Sequence, residues 1–136
     1  MAFIDRGDID ELVRRWTEAI AVERLDIFDE LLADDIVDRS GSTPMSGVHL
    51  FTVRAGAVCA AFADITIDVD DLIVEGDAIA WRWSLTGTHV GAFAGLTPTG
   101  RRATLRGVNF QRLKGERVIE HWTLTDVFGA TMALRS

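Results

Sequence analysis

The chain has 136 residues, 48% of them hydrophobic, and a formal net charge of −7. This length suits a single domain over residues 1–136, and no repeat or low-complexity tract points to a fibrous or disordered chain. The acidic balance argues against nucleic acid and anionic membranes as partners, because binding a polyanion needs a concentrated positive field. A single cysteine, Cys59, excludes an internal disulfide and a multi-cysteine zinc site.

Targeting signals are absent from the sequence pattern. The first ten residues turn acidic quickly and contain no apolar core of a signal peptide. No run of eighteen apolar residues occurs anywhere in the chain, as a membrane-spanning helix would require. We therefore expect a soluble, cytoplasmic protein with no membrane partner.

The first part of the chain has helical periodicity. Apolar residues recur at steps of three and four from Ile9 to Ile20, which predicts an amphipathic helix with Asp8 as its N-cap and Glu11 three residues later. A shorter helix follows, with Asp26 as the candidate N-cap. Its inward residues are expected to be Phe28, Leu31 and Leu32.

An extended piece and a loop separate these helices from a third one. Ile36 and Val37 form the extended piece, which ends at Asp38, and residues 39–47 form the clearest loop in the chain. From Val48 to Phe62 apolar residues again share one helical face, although Gly56 weakens that helix.

After Asp64 the periodicity changes to two, which predicts β-strands. Hairpin signals lie at 75–77 and 114–116, and residues 91–100 form a loop. The first expected strand begins near Ile65. The strands expected after it span 72–74, 78–88, 102–113 and 118–127. Three N-terminal helices followed by an antiparallel meander indicate an α+β fold, a cone of curled sheet covered by helices. Such a cone encloses a hollow suited to a small-molecule pocket.

Strand alternation assigns candidate residues to that pocket. On the last strand, Trp122 and Leu124 make their face the apolar one, so Asp126 is expected on the pocket side near the strand end. A carboxylate there would be partly desolvated and therefore a better proton acceptor. The alternative is a strand-end aspartate that caps nearby backbone.

The two preceding strands supply further candidates by the same alternation. Val108 and Phe110 favour an inward face that also carries Arg106 and Arg112, where a guanidinium could hold an oxyanion or could form a structural ion pair at the rim. Trp81 and Trp83 share a face and suit stacking on a flat ligand, or alternatively the core or a dimer interface.

Other motifs of site chemistry are weak or missing. Asp38 is the second candidate carboxylate, with a solvated turn residue as the alternative. The histidines His49, His89 and His121 have no metal-ligand spacing, so no metal site is predicted. No glycine-rich loop opens a helix to cradle phosphate, and Cys59 lies in an apolar helical stretch typical of a buried thiol.

The C-terminal half carries a family motif. Residues 87–100 read Gly-Thr-His-Val-Gly-Ala-Phe-Ala-Gly-Leu-Thr-Pro-Thr-Gly and are followed by Gly107, Arg112, Glu120-His-Trp122 and Asp126. With the turn at 75–77, this resembles the SnoaL-like polyketide cyclases, whose pattern is GTHxGxFxGxxPTG and then ExWxxxD. The resemblance implies a nuclear-transport-factor-like α+β cone and a homodimer or higher homo-oligomer.

The resemblance also implies an activity. In those cyclases the aspartate matching Asp126 is the general acid/base of an intramolecular aldol condensation on an anthracycline precursor, without metal or organic cofactor. This chain departs from the pattern at Arg39, where many members have His, and at 131–136, where many end in a Q-L-G-like segment. Some SnoaL-like proteins are implicated instead in hydroxylating the anthracycline ring, and these departures leave that alternative open.

The sequence thus supports two hypotheses of different class. The first is a cofactor-independent enzyme acting on an aromatic polyketide, with Asp126 as the base and Asp38 and Arg106 assisting. The expected substrate-binding residues are Phe51, Trp81, Trp83, Val108, Phe110, Arg112 and Trp122. The second is a non-catalytic binding or dimerisation module on the same cone.

Overall fold

A computed structural model describes residues 5–136 and confirms the α+β class. Four helices and a curled, unclosed sheet of six strands make up the fold. The helices are α1 Arg6–Ala21, α2 Phe28–Leu31, α3 Val48–Ala61 and α4 Val127–Arg135, with a 3₁₀ turn at Leu25–Ile27. The strands are β1 Leu32–Asp38, β2 Met45–Ser46, β3 Phe62–Glu75, β4 Ala78–His89, β5 Arg102–Lys114 and β6 Arg117–Thr125.

The sheet has the order β2-β1-β6-β5-β4-β3. Strands β3 to β6 form the predicted antiparallel meander, except that the two strands expected before the turn at 75–77 are one continuous strand, β3. The pairing of β1 with β6 is parallel and was not predicted, and it places Asp38 directly beside His121. Neighbouring strands lie about 4.8 Å apart, so this register brings two polar side chains to adjacent places on the inner face.

Helix α1 covers the inner face of the sheet with its apolar stripe. Five residues of the predicted stripe are buried: Ile9, Leu12, Val13, Trp16 and Ala19. The predicted N-cap Asp8 is wrong, because the helix begins at Arg6 and the Asp5 carboxylate accepts a hydrogen bond from the Gly7 backbone at 3.0 Å. An N-cap three residues earlier in the chain satisfies the first-turn donors, so Asp8 lies within the helix.

The second helix is shorter than the sequence predicts. Asp26 does not cap it: this residue lies in the 3₁₀ turn, and its carboxylate accepts hydrogen bonds from Arg24. The predicted inward residues Phe28, Leu31 and Leu32 are all buried, but Leu32 already belongs to β1. The extended piece is therefore longer than the predicted Ile36–Val37.

The two ends of the β region also differ from expectation. Helix α3 ends at Ala61, so Phe62 opens β3. Strand β6 ends at Thr125, and the unpredicted helix α4 follows, with Ala130 and Leu134 buried. Within residues 5–136, no helix combines the length and apolarity needed to cross a bilayer.

Candidate active site

A cavity of about 250 Å³ lies between α1, α3 and the inner face of the sheet. Its volume is close to the lower end of the range usual for small-molecule pockets, about 300–1,000 Å³. The aromatic part of the wall consists of Trp16, Phe51, Trp81, Trp83 and Phe93. The polar part includes Thr17, Asp38, Arg54, Asn109, His121, Thr123 and Thr125.

Four of the predicted site residues line this cavity. Asp38 stands at the end of β1, Phe51 on α3, and Trp81 and Trp83 on β4. The predicted common face of β4 is correct, since Leu85 also lines the cavity. For Asp38, a buried position replaces the alternative of a solvated turn residue.

The predicted inward face of β6 is wrong. His121, Thr123 and Thr125 face the cavity, while Leu124 is 78% exposed on the opposite side. Asp126 is exposed, lies outside the cavity wall and caps α4, where its carboxylate accepts a hydrogen bond from the Gly129 backbone at 2.8 Å. The position of Asp126 therefore matches the alternative interpretation, in which this aspartate caps nearby backbone.

The predicted inward face of β5 is wrong as well. Arg106, Val108 and Phe110 are exposed on the outer face. Arg112 is on that face too, where its guanidinium forms ion pairs with Asp77 at 3.0 Å and Glu120 at 3.4 Å. Trp122 of β6 is half-buried there, with its ring centroid 5.3 Å from that of Phe110.

The error has one physical cause: the cavity side of these strands is polar, so apolar content does not identify it. The inner residues of β5 are Ala103, Leu105, Gly107, Asn109, Gln111 and Leu113. Apolar residues at both ends of this series, Leu105 and Leu113, are the signal that could have identified the inner face. The prediction relied on the middle of the strand, where polar groups line the cavity.

Asp38 is a buried carboxylate with two fixed hydrogen bonds. Its side chain is 8% exposed, and one oxygen accepts a hydrogen bond from the Ser40 backbone at 2.9 Å. The other oxygen is paired with the guanidinium of Arg54 on α3. Because the Arg54 side chain is 45% exposed, Arg54 can leave the ion pair while Asp38 stays in place.

His121 is the neighbouring titratable group. Its ring stacks on Trp16 with centroids 5.3 Å apart, and only 3% of the residue is exposed. Burial lowers the pKa of His121 from 6.5 to about 4; the charge of Asp38 opposes this change and that of Arg54 adds to it. The imidazole is therefore neutral at pH 7.

A hydrogen-bond chain determines which nitrogen of His121 carries the proton. The Trp81 indole N–H donates to Gln111 Oε1 at 3.0 Å, which leaves the Gln111 amide nitrogen 3.1 Å from His121 Nδ1. An amide NH₂ can only donate, so Nδ1 accepts and the proton of the neutral ring sits on Nε2. The alternation that puts Trp122 and Leu124 inward predicts the outer face for His121, which is wrong, and no sequence motif points to Gln111.

Other candidate groups do not form a site. Within the described 5–136 range, no three or more His, Cys, Asp or Glu side chains gather in a metal-binding group. The Cys59 thiol lies 3.5 Å from the Ile20 carbonyl oxygen, and burial raises its pKa.

Comparison with known proteins gives the family. The model of the SnoaL-like polyketide cyclases matches residues 10–134. IdmH, a candidate polyketide cyclase from Streptomyces antibioticus, is 28% identical with a TM-score of 0.82, covering 93% of this chain and 98% of its own. AclR, a candidate hydroxylase from Streptomyces galilaeus, is 25% identical with a TM-score of 0.84, covering 96% and 83%.

Solved structures of lower sequence identity are similar to this chain in fold. TsrD from Streptomyces laurentii is 21% identical with a TM-score of 0.88 over 96% of this chain and 97% of that one. A search of curated proteins finds no significant match. Because the family model covers nearly the whole chain, the protein belongs to the SnoaL-like polyketide cyclase family.

Proposed function

We propose that this protein closes a ring in an aromatic polyketide by an intramolecular aldol reaction, with Asp38 as the general acid/base. The observation that carries this proposal is a buried carboxylate opening into an aromatic-walled cavity beside a neutral histidine. Asp126 and Arg106 have no part in proton transfer in this proposal, since both lie outside the cavity wall.

The chemistry needs one proton to move out and one to return. Asp38 takes a proton from a methylene between two carbonyl groups, which is acidic because its enolate is delocalised. The enolate carbon forms a bond to a nearby ketone carbon, and the electron pair of that C=O becomes an alkoxide. Asp38 then returns the proton to the alkoxide, so the product has the mass of the substrate until water is lost.

The aromatic residues of the cavity wall favour a flat, aromatic substrate. Trp81, Trp83 and Phe51 offer apolar faces, and a shaped pocket holds the two reacting carbons of one molecule close together. The family and the likeness to IdmH, a candidate polyketide cyclase, support the same substrate class. An anthracycline-type precursor is the expected example.

Hydroxylation of such a ring is the second candidate, and the likeness to AclR, a candidate hydroxylase, favours it. Mass spectrometry separates the two reactions. The test substrate is an anthraquinone that carries a β-keto ester side chain beside a ketone side chain. Cyclisation should convert it first to a product of the same mass and then to the dehydrated product. A product heavier by one oxygen atom, with oxygen consumption, would reject cyclisation in favour of hydroxylation.

We propose further that two copies pair through the outer apolar patch, defined as Val108, Phe110, Trp122 and Leu124. Three of these side chains are at least 39% exposed, and they lie together on β5 and β6. The rim carries both charge signs, because Glu120 pairs with Arg112 and with Arg39. These ion pairs neutralise the carboxylate beside the patch, and a twofold interface would bring the same patch of each copy together.

A further inference from the structure

The orientation of one amide side chain in the cavity is set by an indole. Trp83 Nε1 lies 3.0 Å from Asn109 Oδ1. An indole N–H can only donate, so the amide oxygen must face Trp83 and the amide NH₂ must point away from it. The hydrogen bond from Trp83 thus leaves the NH₂ end of the Asn109 amide to face the cavity.

The NH₂ group of Asn109 has no acceptor of its own. Asn109 is 4% exposed and lines the cavity, and its Nδ2 binds no group within residues 5–136. In that same range, the one fully occluded side-chain polar atom without a partner is His89 Nε2, so the Asn109 hydrogens open onto the cavity. A buried donor left unpaired is costly, which makes it a binding group for an oxygen atom.

Gly107 makes this arrangement possible. A Cβ at residue 107 would lie 2.3 Å from Trp83 Cζ2 and 2.7 Å from Cε2. The indole therefore crosses β5 at the place where the strand has no side chain, and from there it reaches Asn109. Gly107 is a positioning residue for the Asn109 amide.

A second donor lies diagonally opposite. Asn109 pairs with Thr123, and His121 is two residues from Thr123 on the same face of β6. Diagonal neighbours have Cα atoms about 7–8 Å apart, so their side chains can reach one atom between them. The proton on His121 Nε2, opposite the nitrogen held by Gln111, completes a pair of donors near Asp38.

We propose that Asn109 Nδ2 and His121 Nε2 form a two-donor subsite for a carbonyl oxygen of the substrate. When Asp38 removes the neighbouring proton, that oxygen becomes the enolate oxygen, and donors already in place stabilise its negative charge. This inference deepens the proposed function and shares its cavity. The binding part of it can be measured without turnover.

The test uses 9-fluorenone and fluorene, two flat probes that differ by one carbonyl oxygen. Wild-type protein should bind fluorenone about tenfold more tightly, the sum of two ordinary hydrogen bonds, and the infrared C=O band of bound fluorenone should lie below its position in hexane. Asn109→Leu should lower the preference about threefold and raise the band frequency. Thr125→Val, which removes a hydroxyl elsewhere in the cavity, should leave both unchanged.

A measurement on the wild type covers the case in which Asn109→Leu does not fold. The side-chain amide NMR signals of Asn109 should shift with fluorenone and not with fluorene. Equal binding of the two probes, an unchanged band in Asn109→Leu, or unshifted amide signals would each overturn the subsite. Failure of the proposed function is seen separately: if Asp38→Asn keeps its turnover while Asn109→Leu shows the threefold lower fluorenone preference, the subsite stands and the base is misassigned.

Discussion

At the residue scale, His121 shows how packing sets protonation. Trp16 stacks on the ring and Phe51 meets it edge-on at 5.3 Å, so burial between these aromatic rings disfavours an imidazolium. Gln111 occupies Nδ1 as a donor, which is compatible only with an unprotonated nitrogen. The neutral state and the tautomer both follow from contacts that a single-residue pattern does not reveal.

The depressed pKa of His121 predicts an acid-sensitive component of stability. The folded ring resists protonation down to about pH 4, whereas in the unfolded chain it titrates near 6.5. The unfolded state therefore binds more protons between these values, and the stabilisation present above pH 6.5 is lost as the pH falls towards 4. At 1.36 kcal/mol per unit, the component is about 3 kcal/mol.

Urea unfolding between pH 7.5 and 4.5 measures this component. His121→Asn keeps an acceptor near the Nδ1 position, and its free energy of unfolding should fall less steeply with acid than that of the wild type. His49→Asn, a change at an exposed histidine of α3, should retain the wild-type slope. Parallel curves for His121→Asn and the wild type would contradict the buried, neutral assignment.

At the element scale, the helices and strands followed from periodicity, but the strand faces did not. The stripe of α1 and the hairpin turns are local patterns, and the structure confirms them. The inner face of β5 depends on its partners: Trp81 and Trp83 hold Gln111 and Asn109 in hydrogen bonds across the sheet. Those contacts stabilise polar residues inside, so a rule that places apolar residues inward fails there.

The sequence pattern does not predict helix α4, because the alternation of the last strand continues to residue 127, where the helix begins. Asp126 is the capping residue, and a Cβ at Gly129 would lie 2.2 Å from its carboxylate, so a larger residue there would require the Asp126 side chain to shift. The pattern of Asp followed three residues later by Gly is short and occurs in many turns. Only the burial of Ala130 and Leu134 distinguishes it as a helix.

The capping role of Asp126 predicts a specific stability difference. Asp126→Ala removes the acceptor of the Gly129 N–H and should lower the free energy of unfolding by about 1 kcal/mol. Asp126→Asn retains an acceptor and should stay within a few tenths of the wild type, since Asn caps helices as well as Asp. Urea titration monitored by circular dichroism measures both. Equal losses in the two variants would show that the charge, and not the cap, matters.

At the scale of the whole molecule, the sheet separates two surfaces. The inner surface holds the cavity, and the outer surface carries the outer apolar patch of Val108, Phe110, Trp122 and Leu124. Alternation along β5 and β6 assigns successive residues to the two surfaces in turn, so one pair of strands serves both. This explains why a family motif on these strands mixes cavity residues with residues of the outer surface.

The proposed pairing of two copies is tested by sedimentation. The wild type should sediment as a dimer, and Leu124→Asp should be monomeric, because a carboxylate at a residue that is 78% exposed in one copy would be buried between two. Val53→Asp places the same charge on an exposed residue of α3, away from the patch, and should remain dimeric. A monomeric wild type would contradict the proposal.

Turnover of the Asp38→Asn and Asp126→Asn variants, compared on the β-keto ester anthraquinone, tests most directly whether the buried carboxylate moves the proton. Removing a general base typically costs about 10²–10⁴-fold in rate, so Asp38→Asn should fall by that factor while Asp126→Asn keeps nearly the wild-type rate. A full rate in Asp38→Asn, or a collapse confined to Asp126→Asn in a protein of unchanged stability, would contradict the account.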